Sequence, residues 1–149
     1  MSGFKGHMLW AVILGGMAMG ILLWFGLVSR EPGVLIGLGA LVVLGALFPD
    51  IDTDSRGQRF FFLILAGFDA ALILSGQYIW AAVLGFLALF PAMGLHGGWT
   101  HTWWAMLAVP LPILISPPLL FSAELSRVFM LYAAMVFGYF THLVLDRRF

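Results

Sequence analysis

The sequence has no cysteine, which excludes disulfides and any thiolate metal site. Charge is also scarce. Only 9% of residues are Asp, Glu, Lys or Arg, against about 25% in a soluble domain. Such a chain cannot build an ordinary soluble surface, and it is too apolar to be a disordered segment. Its 7 basic and 7 acidic residues cancel. It therefore lacks the basic excess that would hold nucleic acid by its phosphates, and no direct nucleic-acid contact is expected. Histidine is rare, with 4 in 149 residues, so its placement is informative. No small-x-small cleavage site followed by a soluble domain appears, and the first apolar run reads as a retained helix.

Apolar residues are abundant. They make up 62% of the chain, and the mean hydropathy is +1.05. A membrane helix takes roughly 20 residues, so about six would use roughly 120 and leave only short loops. Polar breaks mark six runs, at residues 8–28, 33–48, 60–74, 78–95, 103–121 and 127–145. The breaks are Ser29-Arg30-Glu31-Pro32, Pro49 to Arg59, Ser75-Gly76-Gln77, His96 to Thr102, and the stretch between residues 121 and 127. The fifth run carries Pro110, Pro112, Pro117 and Pro118, which remove backbone donors and predict a broken or re-entrant segment. No internal repeat or linker is visible. The expectation is an all-α, polytopic helical membrane protein of about six transmembrane segments, one integral membrane domain over residues 1–149. Membrane lipids are its expected surroundings, and Trp99, Trp103 and Trp104 suit an interfacial belt.

If all six runs cross, the N-terminus, the second and fourth breaks and the chain end share one face. That face holds Lys5, Arg56, Arg59, Arg147 and Arg148, against Arg30 and Arg127 opposite. The positive-inside rule then makes it cytoplasmic, with both termini there. The same face gathers His7, Asp50, Asp52, Asp54, His96, His101, His142 and Asp146, which include every histidine in the chain. Ionisable groups in or beside membrane segments are costly and point to function.

Spacing strengthens this reading. His142 and Asp146 stand at i, i+4 and project from one helix face. His96 and His101 flank Gly97-Gly98-Trp99-Thr100, where glycines let both imidazoles converge. Asp50 and Asp52 follow Pro49 at a helix end. Mixed imidazole and carboxylate ligands suit zinc, manganese or iron, in a site of one or more ions that activates water for hydrolysis. Taken singly, each residue has a plainer reading, as a hydrogen-bonded structural histidine, an incidental helical pair or a solvated loop.

At these residues the chain resembles the YdjM-like family, described as LexA-binding, inner-membrane-associated and assigned a metal-dependent hydrolase role. The matching pieces are Gly6-His7, Phe48-Pro49-Asp50-Ile51-Asp52, Gly57-Gln58-Arg59, His96-Gly97-Gly98-Trp99-Thr100-His101, and Gly138-Tyr139-Phe140-Thr141-His142-Leu143-Val144-Leu145-Asp146. The resemblance implies a metal centre of His7, Asp50, Asp52, His96, His101, His142 and Asp146. It also implies a distant relation to zinc-dependent phospholipases C and single-strand-specific zinc nucleases, hence zinc and phosphoester chemistry at a bacterial-type inner membrane. Gly97 stands where the family usually has arginine, and the family usually continues further past the final aspartate.

The first functional reading is therefore a membrane-embedded hydrolase acting on a phosphoester or other ester of an amphipathic substrate. Asp52 is a ligand or the general base, Arg59 binds the anion, and Thr100 supports the ligands. Two alternatives accompany it. The chain is a non-catalytic accessory or assembly subunit, as the two departures suggest, or a small transporter or proton-coupled channel. Asp69 motivates the last, lying about 14 Å along the third run at about 1.5 Å per residue. Its plainer role is a protonated or hydrogen-bonded helix-packing group.

Overall fold

In the computed structural model of the protein, residues 4–52, 56–93 and 99–146 are described. Among them the regular structure is entirely helical. The helices are α1 (Phe4–Trp24), α2 (Pro32–Leu47), α3 (Arg56–Leu74), α4 (Tyr78–Met93), α5 (Trp103–Ala108), α6 (Leu111–Phe121) and α7 (Leu125–Leu145), with 3-10 turns at Phe48–Asp52 and Trp99–His101. The chain divides into two compact units, residues 1–49 with 99–149, and residues 50–98.

Local sequence explains the helix ends. Pro32 opens α2, where its missing N–H costs nothing. After α1, Gly26 takes φ +68°, and the Leu27 N–H returns to the Leu22 carbonyl at 2.9 Å. After α3, Gly76 takes φ +74°, and the Gln77 N–H returns to the Leu72 carbonyl at 2.8 Å. Both are glycine caps that satisfy otherwise orphaned carbonyls. The first turn of α3 is tied back by the Gln58 side chain, whose Nε2 donates to the Ile51 carbonyl at 3.0 Å.

Among the described residues, two stretches are long and apolar enough to cross a membrane, the 20 residues Pro32–Ile51 and the 21 residues Leu125–Leu145. This is two, where the sequence predicts six. The first run narrows to Met8–Trp24 and the fifth to Trp103–Leu119 among the described residues. The third gains a polar turn, because α3 begins at Arg56 rather than Phe60, and α4 has 16 residues. The fifth run is broken as predicted, at Val109–Pro110 between α5 and α6. Pro117 and Pro118 lie inside α6.

In the first unit, α2 packs on α1 and α7, and α7 also meets α1, α5 and α6. Ala11, Val42 and Ala46 are buried together against Ala134 and Phe137. Large apolar side chains elsewhere face outward, Trp24 at 87% exposure and Leu119 at 78% among them. Such surface is tolerable only against lipid or other apolar surroundings. In the second unit, α3 and α4 pair across the Ser75–Gln77 turn.

Candidate metal centre

The site begins with two glycines. A Cβ on Gly45 would lie 2.1 Å from the Met135 carbonyl oxygen, and one on Gly138 would lie 1.9 Å from that of Val42. Only glycine permits this approach of α2 to α7. Gly45 and Gly138 mark one crossing point, and beyond it, toward the C-terminal end of each helix, the Ala46 carbonyl oxygen meets the His142 ring. The two helices therefore run in the same direction, and their C-terminal ends meet.

That register sets His142, which is fully buried. Its Nδ1 lies 2.7 Å from the Ala46 carbonyl oxygen. Ala46 is in the last turn of α2, where carbonyls lose their helical partners. A carbonyl only accepts, so Nδ1 carries the proton and Nε2 presents its lone pair. A backbone carbonyl on one imidazole nitrogen is a usual arrangement behind a metal-ligating histidine.

His142 Nε2 lies 3.5 Å from Asp146 Oδ2, and His101 Nε2 lies 3.7 Å from the same oxygen. The two rings are 5.5 Å apart between centroids, inclined at 62°. Donors held about 2.1 Å from one ion in a tetrahedron stand about 3.4 Å apart, so these separations are near coordination edges. They exceed the about 2.7–3.2 Å of an N–H···O bond.

Asp50 completes the set. It sits in the 3-10 turn Phe48–Asp52, one residue after buried Pro49. One ligand atom from each of Asp50, His101, His142 and Asp146 falls within 4.8 Å of the others. Two nitrogens and two carboxylate oxygens form a donor set that fits zinc, manganese or iron.

Thr100 is also placed here. It is buried, and its Oγ1 is 3.3 Å from His101 Nδ1, which turns Nε2 toward Asp146. The Tyr139 hydroxyl donates to the Thr100 carbonyl, so α7 anchors the turn that carries His101. Tyr139, fully buried and packed on Phe48 at 5.7 Å between centroids, was not singled out from the sequence. Its position one turn before His142 could have signalled it, because both lie on one helix face. The Ala46 carbonyl had no sequence signal.

The other predicted residues are not brought into this cluster by the described atoms. His7 is on α1, one turn before Ala11, and its side chain lies outside the described set. Asp52 ends the 3-10 turn, with its side chain likewise outside that set. His96 and Asp54 lie outside the described residues altogether. Arg59 is exposed on the first turn of α3.

The described residues thus define a helical, lipid-compatible protein with a part-buried His/Asp cluster at the meeting helix ends. The chain belongs to the YdjM inner membrane protein family, whose model matches residues 1–147. No curated protein and no solved structure matches it.

Proposed function

We propose that this inner membrane protein binds a divalent metal, zinc first and manganese or iron next, through Asp50, His101, His142 and Asp146, and hydrolyses an ester of an amphipathic substrate. The observation that carries the metal reading is the 2.7 Å contact between His142 Nδ1 and the Ala46 carbonyl oxygen. The Ala46 carbonyl holds the proton at Nδ1, which leaves the Nε2 lone pair on the Asp146 side, where it can bind an ion. The bound ion would supply Lewis acidity and an activated water. Asp146 Oδ2, near both imidazoles, would hold them convergent. His7, Asp52 and His96 remain proposed as further ligands, which would extend the site beyond one ion. Asp52 is alternatively the base, and Arg59 a contact for an anionic group. We place the site and both termini at the cytoplasmic face, on the excess of Lys and Arg in the breaks assigned there. A phosphoester is the favoured substrate by family resemblance.

The test is elemental analysis of detergent-purified protein, made without chelator or polyhistidine tag, beside His142→Ala and Asp146→Asn. The expected result is about one or more ions per chain in the wild type and a clear reduction in both variants. A screen of long-chain phosphomonoesters, phosphodiesters and carboxylic esters follows on the loaded protein. Absence of metal after reconstitution with each ion refutes the centre. Metal without turnover of any ester refutes the hydrolase and leaves an accessory subunit, the reading that Gly97 favours by removing a natural phosphate clamp.

A further inference from the structure

Asp69 belongs to a different place, inside the unit formed by α3 and α4. With α3 starting at Arg56, it lies about 20 Å from the helix start and about 7.5 Å from its end, at about 1.5 Å per residue. Its Oδ1 is buried and has no hydrogen-bond partner among the described residues. The carboxyl lines a half-open groove of about 270 Å³ with Phe62, Leu65, Ala66, Leu84, Gly85 and Ala88. Every lining side chain apart from Asp69 is apolar or, at Gly85, absent.

The chemistry of this groove narrows its occupant. A water needs two to four polar partners, and the lining offers a single polar side chain among the described residues. A metal needs more ligands than one carboxylate. A purely apolar ligand leaves the carboxyl oxygen unsatisfied, at substantial cost in apolar surroundings. An ammonium group satisfies charge and hydrogen bond together, and an attached alkyl chain covers the apolar wall. Space is sufficient, since an apolar cavity of about 150 Å³ already accepts benzene.

We propose that the α3–α4 groove binds a single-chain primary alkylammonium, its N–H donating to Asp69 Oδ1 and its chain lying along Phe62, Leu65 and Leu84. This site does not depend on the metal centre.

The probe is dodecylammonium, with dodecanol as the uncharged match, measured by equilibrium binding to the full chain in a maltoside detergent. Two variants separate the charge from the space. Asp69→Asn removes the anion. Gly85→Leu fills the groove, and its Cβ meets nothing within 4 Å, so the helix pair tolerates it. The amine is expected to bind saturably, about tenfold or more tightly than the alcohol, since a hydrogen bond to a charged group contributes about 1.5–3 kcal/mol. Both variants should lose that advantage while keeping helical content, monodispersity and metal content. Equal binding of amine and alcohol overturns the proposal, as does undiminished binding by Gly85→Leu. If Asp69→Asn does not fold, these two comparisons still decide. Displacement of the amine by phosphatidylethanolamine, but not phosphatidylglycerol, in nanodiscs would reassign the site to a lipid headgroup and overturn the single-chain assignment.

Discussion

Replacing Gly138 by alanine tests the link between helix packing and the candidate site. The new Cβ would meet the Val42 carbonyl oxygen at 1.9 Å, its carbon at 2.7 Å and its Cα at 2.9 Å. All three are backbone atoms, so no side chain can swing aside. The helices must separate by about 1 Å or more to bring the closest contact to 3.0 Å. His142 travels with α7 and the Ala46 carbonyl with α2. The 2.7 Å contact between them would then lengthen past hydrogen-bonding range. Alanine improves helix propensity by about 0.5–1 kcal/mol. Overpacking costs about 1–3 kcal/mol, and an unsatisfied buried acceptor about 1–3 kcal/mol more. The packing terms win, and a net destabilisation of about 1–5 kcal/mol is expected on those scales. Loss of the carbonyl that orients His142 should lower metal affinity about 10–100-fold. The assay is chelator competition for the metal, with thermal unfolding followed by circular dichroism. Gly16→Ala serves as the control, because its Cβ meets nothing within 4 Å and should leave both quantities unchanged or slightly improved. If Gly138→Ala matches the control in stability and metal affinity, the close crossing does not position His142.

Removing the hydroxyl in Tyr139→Phe strips the buried Thr100 carbonyl of its donor. It should cost about 1–3 kcal/mol in thermal unfolding and weaken metal binding in the same chelator assay, with unchanged helical content. By contrast, Gly76→Ala forces an L side chain to φ +74°. It should destabilise the α3–α4 turn by about 1 kcal/mol, seen as faster hydrogen exchange there, with metal content at wild-type level.

Much of the fold was legible because the helix signals are local. Apolar runs, the proline at Pro32 and the glycines at Gly26 and Gly76 act on neighbouring residues, and most helices fall within a few residues of the runs read from sequence. The crossings were less legible. Counting runs gives six, but span length depends on where a helix starts and breaks. Arg56 adds a polar turn to α3, and Pro110 divides the fifth run while Pro117 and Pro118 do not. Proline residues look alike in sequence, and the break is set by how the flanking residues pack. Here Pro110 is buried and α5 rests on α7.

The site divides in the same way. The pair His142 and Asp146 follows from helical spacing alone, and the importance of Asp50 and His101 from their rarity among apolar residues. The sequence argument brought them together by assuming six crossings. In the folded chain the parallel register of α2 and α7 does this directly, through Gly45 and Gly138. The contributions of Tyr139 and the Ala46 carbonyl were hidden, because a buried hydroxyl and a backbone oxygen gain their roles only from what lies opposite. The sequence by itself determined the class, an all-helical membrane protein with a His/Asp set, because hydropathy and i, i+4 spacing are properties of the chain. Which histidine nitrogen faces the cluster was decided only by the tertiary structure, because it depends on a contact between residues 96 positions apart.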